Sequence, residues 1–236
     1  MNEFWDKLYN PKEIGAAILF IIGLISFTIV IRQIFRSHTS YQIKLMAFYI
    51  FLVLLQLSFG FYDNFKVTEL KGRHHNSQIA GFIFIIFEYV ILAHLIKINI
   101  RSKIVKKSLF ISSIIFVVVA IFNWYFINIS PKLFSITSTI EAIPLILACL
   151  YFFYEILKKP LTLRLDKESS FWIITGILFL FICILPYYLA YKYFIRIPEM
   201  QVIDYVGYAI IMILFTKASF CKEKQLDDNN NSNHIF

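Results

Sequence analysis

Seven long apolar runs, separated by short polar connections, follow one another along the chain: residues 14–34, 43–61, 79–98, 109–126, 134–157, 171–188 and 202–220. Each run is continuously apolar rather than alternating, which predicts a helix and excludes a strand of a closed barrel. Each also approaches or exceeds the roughly 20 residues needed to cross the hydrocarbon core of a bilayer. The expected fold is all-α: a polytopic bundle of seven transmembrane helices forming one membrane domain over residues 1–221. Residues 222–236, Asn-rich, acidic and without periodicity, are expected to form a disordered tail. The first run is longer than the roughly 7–15 apolar residues of a signal peptide, and no small-residue cleavage site precedes Arg32, so it is expected to remain as a helix.

Composition agrees with the pattern. Of 236 residues, 59% are hydrophobic and 16% charged, with a mean hydropathy of +0.70, whereas soluble domains carry about 25% charged residues. The net charge of +8 acquires meaning only from its placement. With the N-terminus outside, fifteen Lys and Arg fall on the inner side, the densest being Arg101, Lys103, Lys106 and Lys107, and eight on the outer side. Translocation of basic residues is disfavoured, so the expected orientation is N-terminus out and C-terminus in. The surplus is thereby an orientation signal, with attraction to anionic lipid as a secondary role, and a nucleic-acid partner is not expected. Cys149, Cys183 and Cys221 are odd in number and lie in or beside apolar runs, which argues for packing residues rather than disulfides. Heavy use of Ile, Phe, Asn and Lys is the bias of an AT-rich coding genome and suggests a bacterial inner membrane.

Few polar groups interrupt the runs. Glu88 lies at the midpoint of the third, with no other charge within eight positions on either side. A carboxylate there costs about 2.5–3.5 kcal/mol to insert, so it must face the bundle interior or a wet cavity. It is either a ligand anchor or proton acceptor, or a hydrogen-bond clamp between helices. His94, six residues on, lies about 120° round the helix from Glu88 and, close to Lys97 near the inner interface, is expected to be packed or snorkelling rather than catalytic. In the fifth run Ser138, Glu141, Leu145, Ala148, Phe152 and Glu155 form one stripe. Ser138 to Glu141 also reads as a capping box, which would start the helix there and put Pro144 in its second turn. Glu155 is expected to pair with Lys158 or Lys159. The sixth run carries Phe171-Trp172, Thr175-Gly176 and Pro186-Tyr187-Tyr188; the proline should kink or end the helix. Tyr187 and Tyr188 then belong either to a pocket or to an interfacial aromatic belt. Gly15, Gly23 and Ser26 give the first run a small face for close helix contact.

Several functions lack their parts. No lysine lies in the middle of the last run, as a retinal Schiff base needs. There is no HExxH and no cage of membrane His and Asp for zinc, and the pair His74-His75 has no other ligand at suitable spacing. No metal or organic cofactor is expected. Asn128-Ile129-Ser130 matches a glycosylation sequon but reads as a turn before Pro131.

The blocks Ile86-Phe87-Glu88-Tyr89, Ile140-Glu141-Ala142 with Leu150-Tyr151-Phe152-Phe153-Tyr154-Glu155, and Phe171-Trp172-Ile173-Ile174-Thr175-Gly176 resemble a family of seven-helix membrane proteins of Bacteroidota, particularly flavobacteria. The resemblance implies an inner-membrane protein and transfers no active residue. The leading expectation is a non-enzymatic sensory or ligand-binding protein, with a small ligand or lipid held around Glu88, Glu141, Ser138, Thr175, Tyr187 and Tyr188. It would act through a separate signalling protein docked on the inner basic loops. A proton-coupled permease using Glu88 is the alternative, and a membrane-embedded enzyme the third reading.

Overall fold

The computed structural model describes residues 11–36, 40–66, 75–126, 131–158, 165–194 and 202–221. Seven helices account for nearly all of them: α1 (Pro11–Arg36), α2 (Tyr41–Lys66), α3 (His75–Asn99), α4 (Lys103–Phe126), α5 (Pro131–Leu157), α6 (Ser169–Phe194) and α7 (Val202–Phe220), with a short 3-10 turn at Leu165–Lys167 before α6. All seven are long and apolar enough to span a membrane. Six of the helices run past the apolar runs at one or both ends, because hydropathy marks the stretch inside hydrocarbon while helix geometry continues through the interface. The tail from residue 222, His74 and the sequon at 128–130 lie outside the described residues.

Each helix packs on its successor and α7 packs back on α1, which closes a ring. Two helices depart from a simple ring: α3 also touches α5 and α6 across the middle, and α2 also touches α7. Burial follows from this position: 56% of the α3 span is buried, against 17% for α4, which leans on α3 and α5 alone. Small residues set the closest approaches. A Cβ on Gly15 would stand 2.8 Å from the Tyr205 ring, and one on Gly207 would meet both the Cβ of Cys183 at 3.3 Å and the backbone oxygen of Leu180 at 3.5 Å. The small face of α1 is therefore turned toward α7 and, through Gly23 and Leu54, toward α2.

Three local expectations change. The helix α5 begins at Pro131, a residue pre-set for a first helical position, so Ser138 lies inside the helix and is not its cap. Pro144 consequently falls in mid-helix, where it leaves the Ile140 carbonyl without its N–H donor. Likewise Pro186 lies within α6, which continues to Phe194, so Tyr187 and Tyr188 are not at a helix end. Glu155, finally, serves a different helix: its two carboxylate oxygens accept the backbone N–H groups of Arg101 and Ser102, each at 3.0 Å, and thus cap α4, while Lys159 lies outside the described residues.

Candidate functional site

Glu88 is 3% exposed at the centre of α3, and both of its oxygens are engaged. The Tyr49 hydroxyl of α2 donates to Oε1 at 2.8 Å, and the Tyr208 hydroxyl of α7 donates to Oε2 at 3.1 Å. Three non-adjacent segments of sequence are thereby tied to one carboxyl group. The long tyrosine side chains allow this: each buries its ring against apolar neighbours and extends only its hydroxyl to the acid. The Tyr49 ring packs on Phe215 with centroids 5.7 Å apart, and the Tyr208 ring on Phe84 at 6.2 Å.

Glu141 of α5, 2% exposed, turns to the same interior and lies within electrostatic reach of Glu88. Its Oε1 is buried without a hydrogen-bond partner. A third acid, Asp204, stands in the first turn of α7 within electrostatic reach of Glu88; its Oδ1 is also buried without a partner. Tyr188 of α6 lies within electrostatic reach of all three acids, and its ring meets that of Tyr187 edge-on at 5.2 Å. The result is a cluster of three carboxyl groups with tyrosines among them, in the half of the bundle that holds the N-termini of α3, α5 and α7. Among the described residues, no Lys or Arg pairs with these acids, and no group of His, Cys, Asp and Glu is arranged to hold a metal ion.

The predicted residues divide accordingly. Glu88, Glu141 and Tyr188 are brought together, and Tyr187 is 6% exposed beside them. Ser138 is buried three residues before Glu141 on the same face of α5. Thr175 stands apart, because its hydroxyl donates to the Phe171 carbonyl of its own helix at 2.6 Å. Tyr49, Asp204 and Tyr208 were not expected. A tyrosine inside an apolar run carries no mark that separates a hydrogen-bonded hydroxyl from an interfacial ring, but Asp204, three positions into a span, was an intramembrane acid in its own right. His94 packs as expected, edge-on against Tyr41 at 5.7 Å.

No protein-family model, curated protein or solved structure matches this chain.

Proposed function

We propose that the protein is a non-enzymatic, ligand-binding membrane protein whose acid and tyrosine cluster takes a small organic cation of the protonated-amine class. The observation that carries this reading is the pair of buried carboxyl oxygens, Glu141 Oε1 and Asp204 Oδ1, that have no hydrogen-bond partner. A buried polar atom left unpaired costs about 1–3 kcal/mol, more if charged, and an ammonium group supplies both the donors and the positive charge that the site lacks. The tyrosine faces around the acids suit the same guest, since the face of an aromatic ring attracts a cation. The site joins α2, α3, α5, α6 and α7, so a bound ligand draws five helices together. Such a change is suited to reporting on occupancy to a separate signalling protein at the basic loops. In this reading the membrane is the inner membrane of a bacterium, with the N-terminus outside; the distribution of Lys and Arg and the resemblance of the sequence blocks support it.

The test is a thermal-shift series on the purified full chain in mild detergent, comparing primary alkylamines and choline with the matching neutral alcohols. At a hundredfold excess over Kd, an amine should stabilise by about 2.7 kcal/mol, the alcohol should not, and Glu141→Gln should abolish the effect. Equal shifts from amine and alcohol, or none from either, reject the reading.

One observation favours a second reading, proton-coupled transport. Pro144 and Pro186 lie inside two adjacent continuous helices beside the acids, where each frees a backbone carbonyl, and proline-interrupted apolar segments are a mark of transporter sites. It requires Glu88→Gln to remove the pH dependence of uptake into proteoliposomes; unchanged flux excludes Glu88 as the carrier.

A further inference from the structure

We propose that the groove between α2 and α4 is a binding site for one acyl chain of an anionic glycerophospholipid, whose phosphate is held by lysines at the end of the groove. The groove exists because α2 and α4 do not touch, so α3 is left as its floor. Its volume is about 610 Å³, and its walls are apolar except for Tyr41, His94 and Lys97 toward one end and Ser113 midway along. On α4 the lining runs from Leu109 to Val118, a rise of about 14 Å, which is close to half of the roughly 30 Å hydrocarbon thickness. The groove therefore has the length of a single leaflet, which is the reach of one lipid tail.

Charge at its end selects the headgroup. Lys97, in the last turn of α3, lines the groove and holds its ammonium 4.9 Å above the Phe110 ring. Lys106 and Lys107 precede Phe110 by four and three residues and so continue the lining face of α4 into the interface. Glu155 of α5 is engaged by the backbone amides of Arg101 and Ser102. His94 lines the groove one turn deeper than Lys97, at the level where ester groups follow a phosphate. A second groove of about 450 Å³ lies between α2 and α3 toward the opposite end; Gln56 is its polar group and no charged residue lines it. Hydrocarbon of any lipid suits that second groove, whereas the first also presents a complementary charge.

Native mass spectrometry of the detergent-purified full chain, titrated with phosphatidylglycerol or phosphatidylcholine of matched chains, tests the site. The first lipid retained by the unaltered protein should be phosphatidylglycerol. Lys97→Gln and Lys107→Gln should each weaken it about fivefold and leave phosphatidylcholine retention unchanged. Ser113→Phe, which fills the groove, should remove the first bound lipid of either kind, while Ile83→Phe in the second groove should not. Equal retention of the two lipids by the unaltered protein overturns the proposal, as does insensitivity to both lysine substitutions. Loss of a dimer on Ser113→Phe overturns it too, since the groove is then covered by a second copy. The lysine variants alter partly or fully exposed side chains, so they report on the site even if Ser113→Phe fails to fold.

Discussion

Tyr49 and Tyr208 donate to the two oxygens of one carboxyl group, so replacing either with Phe leaves a Glu88 oxygen without a donor in the bundle interior. Interhelical hydrogen bonds in membranes average about 0.6 kcal/mol and reach about 1.7. Tyr49→Phe is expected at the upper end of that range and Tyr208→Phe below it, because the Tyr49 contact is shorter and its side chain fully buried. Reversible unfolding in detergent measures both. The double variant should lose less than the sum, since the two donors share one acceptor group. Glu141 predicts the opposite sign. Its Oε1 has no partner, so Glu141→Leu should raise stability by about 1–3 kcal/mol while abolishing the response to amines. A gain in stability with loss of binding is the signature of a residue kept for a ligand; a loss of stability makes Glu141 a structural clamp. In sequence, Glu88 and Glu141 stood out because charge inside hydrocarbon is costly. Their tyrosine partners did not, because a tyrosine is equally at home in a core, an interface or a site.

At the scale of the elements, two helices depend on groups supplied by another. The N-terminus of α4 takes its cap from Glu155 of α5, more than fifty residues away. Glu155→Ala should cost about 0.5–2 kcal/mol, and hydrogen exchange should quicken in the first turn of α4 rather than in α5. The contact of α6 with α7 rests on small residues: a Cβ on Gly176 would already stand 3.3 Å from Ile211 and Leu214. Gly176→Leu should therefore destabilise by about 1–3 kcal/mol through overpacking. It should also disturb the acid cluster, since Asp204 and Tyr208 ride on α7; the unfolding midpoint and the amine response measure the two effects. Helix existence followed directly from the apolar runs. Helix starts did not: the Ser138–Glu141 pattern has the residue types of a cap, yet the backbone upstream from Pro131 is already helical, and a capping box states only what a side chain does if the helix begins there.

For the whole molecule, Cys221 offers a test of orientation. Cys149 is buried and Cys183 lies within α6, whereas Cys221 sits just beyond the end of α7. Burial pushes its thiol up from the usual cysteine value, against the opposing effect of the Lys217 ammonium. The thiolate is the reacting form, so labelling by a membrane-impermeant maleimide should accelerate at higher pH than for an ordinary thiol. With the C-terminus inside, labelling should occur in inverted vesicles and not in right-side-out ones; the reverse pattern inverts the topology. The sequence by itself determined that this is a seven-helix membrane protein, because apolar length and the need to satisfy backbone hydrogen bonds in hydrocarbon admit one solution. It also marked Glu88 and Glu141 as costly. Which residues meet was decided only by the tertiary structure. The rotation of each helix about its axis decides what faces inward, and an almost uniformly apolar helix carries little amphipathic pattern from which to read that rotation. Packing of small residues, the inward position of α3 and the reach of Tyr49 and Tyr208 set the rotation instead. They bring Asp204 and Glu141 each within electrostatic reach of Glu88, and they leave α2 and α4 apart with a groove between them.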